Sequence, residues 1–130
     1  MHRLLYRSQV ADGVKAADVF DIVAQSERNN PKHAMTGFLL QEFDSFLQFL
    51  EGPVFAVEAL LTRIEEDPRH SNLEVLYRED AQTRLFDEWS MKHLLSFGER
   101  PALEQLRNIL GTRPDGERLL REVEKFVSGG

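Results

Sequence analysis

FLQFLEGP, Phe46 to Pro53, reads as a buried strand with one side chain out of place. Phe46, Leu47, Phe49 and Leu50 are apolar, and Gln48 sits among them. Alternate side chains on a strand share a face, so Gln48 points the same way as Phe46 and Leu50. An amide on an apolar face costs roughly 1–3 kcal/mol unless its hydrogen bonds are met. The strand therefore predicts a polar partner for Gln48 inside the fold.

Working outward, HRLLYRS sets Leu4, Tyr6 and Ser8 against Arg3, Leu5 and Arg7 and reads as a first strand. ADGVKAADVFDIVAQSERNN changes period: Phe20, Val23 and Ala24 form a helical stripe that Val19 and Ile22 widen. That helix is expected to stop near Asn29, because Pro31 disfavours α geometry at Asn30. MTGFLLQEF and SFLQFLE follow as two strands joined by a tight turn at Asp44. Pro53 suits the first turn of a second helix, with Val57, Leu60, Leu61 and Ile64 as its stripe. Strands around LEVLY and WSMKHLL come next.

This order is β-α-β-β-α-β with an extra strand, an α+β, ferredoxin-like pattern. Its first and third strands lie side by side at the centre, and its two early helices cover one face. Tyr6 and Gln48 each have the parity to face those helices, so a phenol and an amide can be neighbours in one buried pocket. Beyond residue 97, Leu103, Leu106 and Leu110 form one stripe that Gly111 ends. Leu119, Leu120, Val123, Phe126 and Val127 form another after Pro114. These two helices are expected to cap the opposite face of the sheet through a modest contact area. Residues 98–130 are thus a helical cap within the same compact unit as residues 1–97.

A chain of 130 residues, 42% of them hydrophobic, is long enough for one domain with a real core. The absence of cysteine excludes disulfides, thiolate metal sites and cysteine nucleophiles. MHRLLYRSQV turns polar too early for a signal peptide, and no apolar run reaches membrane-spanning length. A cytoplasmic protein without a membrane role is expected. A net charge of -6 argues against direct nucleic-acid binding.

The common catalytic constellations are missing. His2, His33, His70 and His93 show no metal spacing, no glycine-rich phosphate loop precedes a helix, and there is no GxSxG elbow. Glu65, Glu66 and Asp67 fit a solvated helix end. The better lead is the set of polar residues in apolar settings: Tyr6, Asn29, Asn30 and Gln48. Each has an ordinary explanation, as a core tyrosine, a helix cap, or an amide bonded to backbone. Only their convergence on one site would set those explanations aside.

The residues also carry a family resemblance. YRS (Tyr6 to Ser8), NNPKHAMTG (Asn29 to Gly37), FLQFLEGP, DPRH (Asp67 to His70) and WSM (Trp89 to Met91) occur in this order. Together they resemble the BLUF domain, a blue-light sensor that uses a flavin, over about residues 1–97. QEFDSF lacks the glycine often found in that turn, Met35 stands where isoleucine is common, and Pro31 follows Asn30 directly.

The resemblance implies a flavin wedged between the two early helices: FAD, with FMN or riboflavin as alternatives. It implies Asn30 on the pyrimidine edge with Asn29 assisting, Arg69 donating to a flavin carbonyl and His70 packing beside the ring. Ile22 would line the pocket and Lys32 would meet phosphate or remain a surface lysine. It implies that Tyr6 supplies an electron and a proton through Gln48 after blue-light excitation, and that the Gln48 amide ends rotated or tautomerised. Met91 and Trp89 would carry the signal outward: on a strand they share a face, so both are within reach of Gln48 and sequence does not rank them, with Met91 as ordinary core filling the alternative. The protein is then a sensor and not an enzyme, a short stand-alone domain acting through self-association or an unknown downstream protein.

Two rivals follow from the same pattern. One is a flavin-less ferredoxin-like regulatory or binding module. The other is a hydrolase of acylphosphatase-like topology, which SQVADGVKA disfavours because it offers one glycine where a phosphate loop is needed.

Overall fold

The computed structural model describes residues 1–11, 13, 35–87, 89, 92–95, 101–111 and 113–128. Five strands form one sheet: β1 (His2–Val10), β2 (Thr36–Glu42), β3 (Ser45–Gly52), β4 (His70–Asp80) and β5 (Lys92–Leu95). Their order is β4-β1-β3-β2-β5. β1 is antiparallel to both β3 and β4, β2 is antiparallel to β3, and β5 adds to β2 in parallel. This is the ferredoxin-like sheet with an added strand, as the order of elements predicts. The expected helix before Pro31 lies outside the described residues.

The alternation in each strand sorts the apolar side chains into two clusters. On one face Leu4, Tyr6, Met35, Leu39, Phe46 and Leu50 pack with Ala56, Val57 and Leu61. The last three come from α1 (Val54–Glu66), which begins directly after Pro53. Pro53 precedes the first turn rather than joining it, and its carbonyl accepts from Ala56 and Val57, both at 3.0 Å.

On the other face Leu5, Phe38, Leu40, Leu47, Phe49 and Tyr77 meet α2 (Pro101–Leu110) and α3 (Glu117–Val127). Leu103, Leu106 and Leu110 from α2 and Leu119, Val123 and Phe126 from α3 are all buried there. Each such side chain contributes roughly 1.5–3 kcal/mol of burial. The terminal helices thus bury against this face the stripe residues that the sequence marks. β4 helps: its register slips between Leu5 and Tyr6, so Leu76 and Tyr77 both reach this second cluster.

Two backbone details fix β2. Phe43 turns the β2–β3 hairpin with φ 55, taking the left-handed position that a glycine would occupy at less cost. Gly37 has φ 149, and a Cβ there would lie 1.9 Å from the Phe49 carbonyl oxygen. Only a glycine lets the two backbones approach so closely.

Candidate functional site

Tyr6 and Gln48 are direct partners in the β1–β3 register. Opposed residues on paired strands present their side chains to the same face. The Tyr6 hydroxyl donates to Gln48 Oε1, and both residues are buried. Leu39 stands opposite Gln48 from β2, and Val75 stands opposite Tyr6 from β4. The unusual amide and the phenol thus meet at the centre of the sheet, on the α1 face.

Burial, with the Asp67 carboxylate adding to it, pushes the Tyr6 phenol far above its ordinary value of 10.0. Tyr6 is a neutral hydrogen-bond donor throughout the physiological range. Asp67 ends α1 and holds Arg69 in a fork: the guanidinium donates from Nε at 3.0 Å to Oδ1 and from its terminal nitrogen at 2.6 Å to Oδ2. The Arg69 carbonyl accepts from Ala11, tying this corner to the end of β1. Asp67 is thus part of the Tyr6 surroundings, although its position reads from sequence as a solvated helix end. The D-x-R spacing of DPRH is the signal that points to it.

Trp89 lies elsewhere. Its odd number matches His93, which bonds Gln41 across the β5–β2 pair, yet its ring stacks on Phe86 at 5.2 Å and 18° in the opposite cluster. Trp89 is not part of a strand, so strand parity does not govern it. Its carbonyl accepts from Gly37 at 2.8 Å. Ile22, Asn29, Asn30, Lys32 and Met91 lie outside the described residues, as does the side chain of His70.

The chemistry of this pair fits a flavin. The Gln48 amide, its carbonyl end engaged by Tyr6, also carries an NH2 group, the type of donor that a flavin carbonyl or ring nitrogen accepts from. The arrangement joins a protonated phenol to an amide by a hydrogen bond in one buried volume.

Fold and pair together define a ferredoxin-like photosensory domain. Residues 1–92 match the BLUF family, "sensors of blue-light using FAD", and the chain belongs to that family. A BLUF domain is a blue-light photosensory module that binds flavin. The photoactivated adenylate cyclase subunit beta of Euglena gracilis is 35% identical over 89 residues, 68% of this chain but 10% of that protein. BlrP1 of Klebsiella pneumoniae, in a calcium and cyclic-diGMP complex, superposes with a TM-score of 0.86 at 32% identity over 98% of this chain and 34% of that one. A BlrP1 structure with FMN superposes at 0.83 and 30%, over 98% of this chain and 34% of that one. The dark state of the BLUF protein BlrB gives 0.74 and 32%, covering 94% of this chain and 93% of BlrB. Among the described residues no helix is long and apolar enough to cross a membrane.

Proposed function

We propose that Tyr6 and Gln48 are the photoactive pair of this BLUF domain and that the observation carrying this reading is the buried hydrogen bond between them. A flavin held in this pocket would supply the blue-light absorption and the acceptor for one electron. Tyr6 releases that electron together with its hydroxyl proton, which lies on the hydrogen bond to Gln48 Oε1. Both return to Tyr6, so no substrate is consumed and no net oxidation remains. Gln48 ends with its amide rotated or tautomerised, because donor and acceptor ends of an amide can exchange within one volume.

FAD is the proposed chromophore, with FMN or riboflavin as the other candidates. Asn30 takes the pyrimidine edge with Asn29 beside it, since one amide can both donate and accept. Ile22 and His70 pack against the ring, Lys32 meets phosphate, and Arg69 donates to a carbonyl. Met91, with Trp89, passes the change onward. The domain works in the cytoplasm, in keeping with its lack of cysteine, and signals through self-association or a separate protein. The visible spectrum of the purified protein tests this reading. A yellow protein with a light-driven, dark-reversible red shift is expected; colourless protein that ignores added flavin favours a flavin-less module.

A further inference from the structure

The segment between β4 and β5 leaves the sheet at Asp80 and rejoins it at Lys92. Several ties hold it to the sheet: Gly37 donates to the Trp89 carbonyl at 2.8 Å, Arg84 donates to the Thr36 hydroxyl and the Glu51 carbonyl, Leu85 and Phe86 are buried in the core, and one side chain, Glu51, grips the backbone directly. Glu51, on β3 and fully buried, accepts from the Leu85 backbone at 2.8 Å on Oε1 and from the Phe86 backbone at 2.7 Å on Oε2. The Thr36 hydroxyl donates to Oε2 at 3.1 Å. Phe86 in turn carries the Trp89 ring and meets Phe38 and Phe49 edge-on. Trp89 is thus placed from two sides, by the Gly37 N–H on its carbonyl and by Phe86 under its ring, and Glu51, three residues from Gln48 on the same strand, grips Phe86.

A second arrangement is within reach. Arg3, almost wholly buried on β1, has its Nε without a hydrogen-bond partner, 3.8 Å from Glu51 Oε1. Oε1 thus has one donor engaged, Leu85, and another close by but unmet. The far end of Arg3 donates to the Thr83 carbonyl at 2.7 Å and to Asp115 at 3.1 Å, in the turn that opens α3. A shift of β3 that brings Oε1 to Arg3 Nε would add a second donor to the oxygen that holds Leu85 and engage the guanidinium that also binds Asp115, which Arg113 grips at 3.0 Å as well.

We propose that Glu51 is a positioning residue of this photoreceptor: it holds the segment carrying Trp89 against β3, and Arg3 and Asp115 relay a change in that hold to the C-terminal helices. The inference rests on the photoreceptor reading. Trp89 is the sole tryptophan, so its emission reports this segment alone.

The test compares flavin-loaded wild type, Glu51→Gln and Asp115→Asn in dark and light, by flavin absorbance, Trp89 emission and hydrogen exchange over residues 114–127. Glutamine must turn an NH2 toward one of the two backbone N–H groups, so the hold is broken at nearly constant volume. Wild type should show the red shift, a change in Trp89 emission and altered exchange. Glu51→Gln should keep the red shift and lose most of the other two, a loss that simple destabilisation would not separate from flavin response. Its Trp89 emission should also be altered without flavin, in the dark. Asp115→Asn should keep the red shift and the Trp89 response and lose the exchange response; it decides the matter if Glu51→Gln does not fold. Full Trp89 and exchange responses in Glu51→Gln, or an unaltered exchange response in Asp115→Asn, overturn the proposal. A wild type with a red shift but no Trp89 change overturns it too. Absence of any red shift in the wild type instead overturns the photoreceptor reading, and this proposal with it.

Discussion

Tyr6 and Gln48 are opposed across the β1–β3 ladder, and the phenol donates to the amide carbonyl inside the core. Two neighbouring strands hold both ends of this bond, so its geometry is set by sheet register rather than by a loop. A pair held on two central strands is more precisely placed than one on loops, because the surrounding backbone has little freedom.

Gly37→Ala tests the tight approach of β2 to β3. A methyl group 1.9 Å from the Phe49 carbonyl oxygen forces the strands apart, and φ 149 is a conformation that alanine rarely adopts. The expected loss is about 3 kcal/mol or more, at the upper end for overpacking. Urea unfolding measures it; an unchanged midpoint would show that the strands separate at little cost.

The hairpin should respond in the opposite direction. Phe43 is 64% exposed and sits at φ 55, so its side chain is ill suited to the backbone it occupies. Phe43→Asn should stabilise the fold by about 1 kcal/mol, since asparagine tolerates the left-handed region better. A lower melting temperature would assign the Phe43 ring a packing role that outweighs its strain.

Two buried phenols set the alkaline limit. Burial raises Tyr6, with Asp67 adding to it, and burial raises Tyr77, with Glu79 adding to it. The native state keeps both protonated above pH 10.0, where the unfolded chain has begun to lose those protons. Stability from this source is complete below about pH 10 and falls as pH rises past it, by about 1.4 kcal/mol per pH unit for each tyrosine. Denaturant midpoints across pH 8–11 (an interval of about one unit past the tyrosine value) should bend downward near 10, and less steeply in Tyr77→Phe. An equal bend in both proteins would remove Tyr77 from this account.

Asn30→Ala should weaken flavin binding by roughly 5- to 150-fold, the equivalent of about 1–3 kcal/mol for leaving a polar group unpaired at a buried ring edge. It should also reduce the rise in melting temperature that flavin confers on the native state. Equal flavin affinity in variant and wild type would return Asn30 to helix capping.

The Tyr6–Gln48 pairing is legible in the sequence because period-two alternation and strand order are both local or topological facts. Parity puts each side chain on a face, and the ferredoxin-like order makes their strands neighbours. The same rule misplaces Trp89, because Trp89 is not in the ladder and its ring stacks on Phe86 instead. Glu51 itself looks from sequence like an acid at a strand end. Its role depends on two backbone N–H groups more than thirty residues away, which no local pattern encodes. The stripes of α2 and α3 are legible for the same reason as the strands: Leu103, Leu106, Leu110, Leu119, Val123 and Phe126, spaced at helical period, are the residues buried on the second face.

The central claim is that Tyr6 and Gln48 act as one switch, and light-minus-dark absorption of flavin-loaded variants tests it most directly. Tyr6→Phe keeps the ring packing and Gln48→Leu keeps the volume, so both should bind flavin and remain yellow. Wild type should show a red shift that decays in the dark, and neither variant should form it. A normal, long-lived red shift in either flavin-loaded variant would contradict the account.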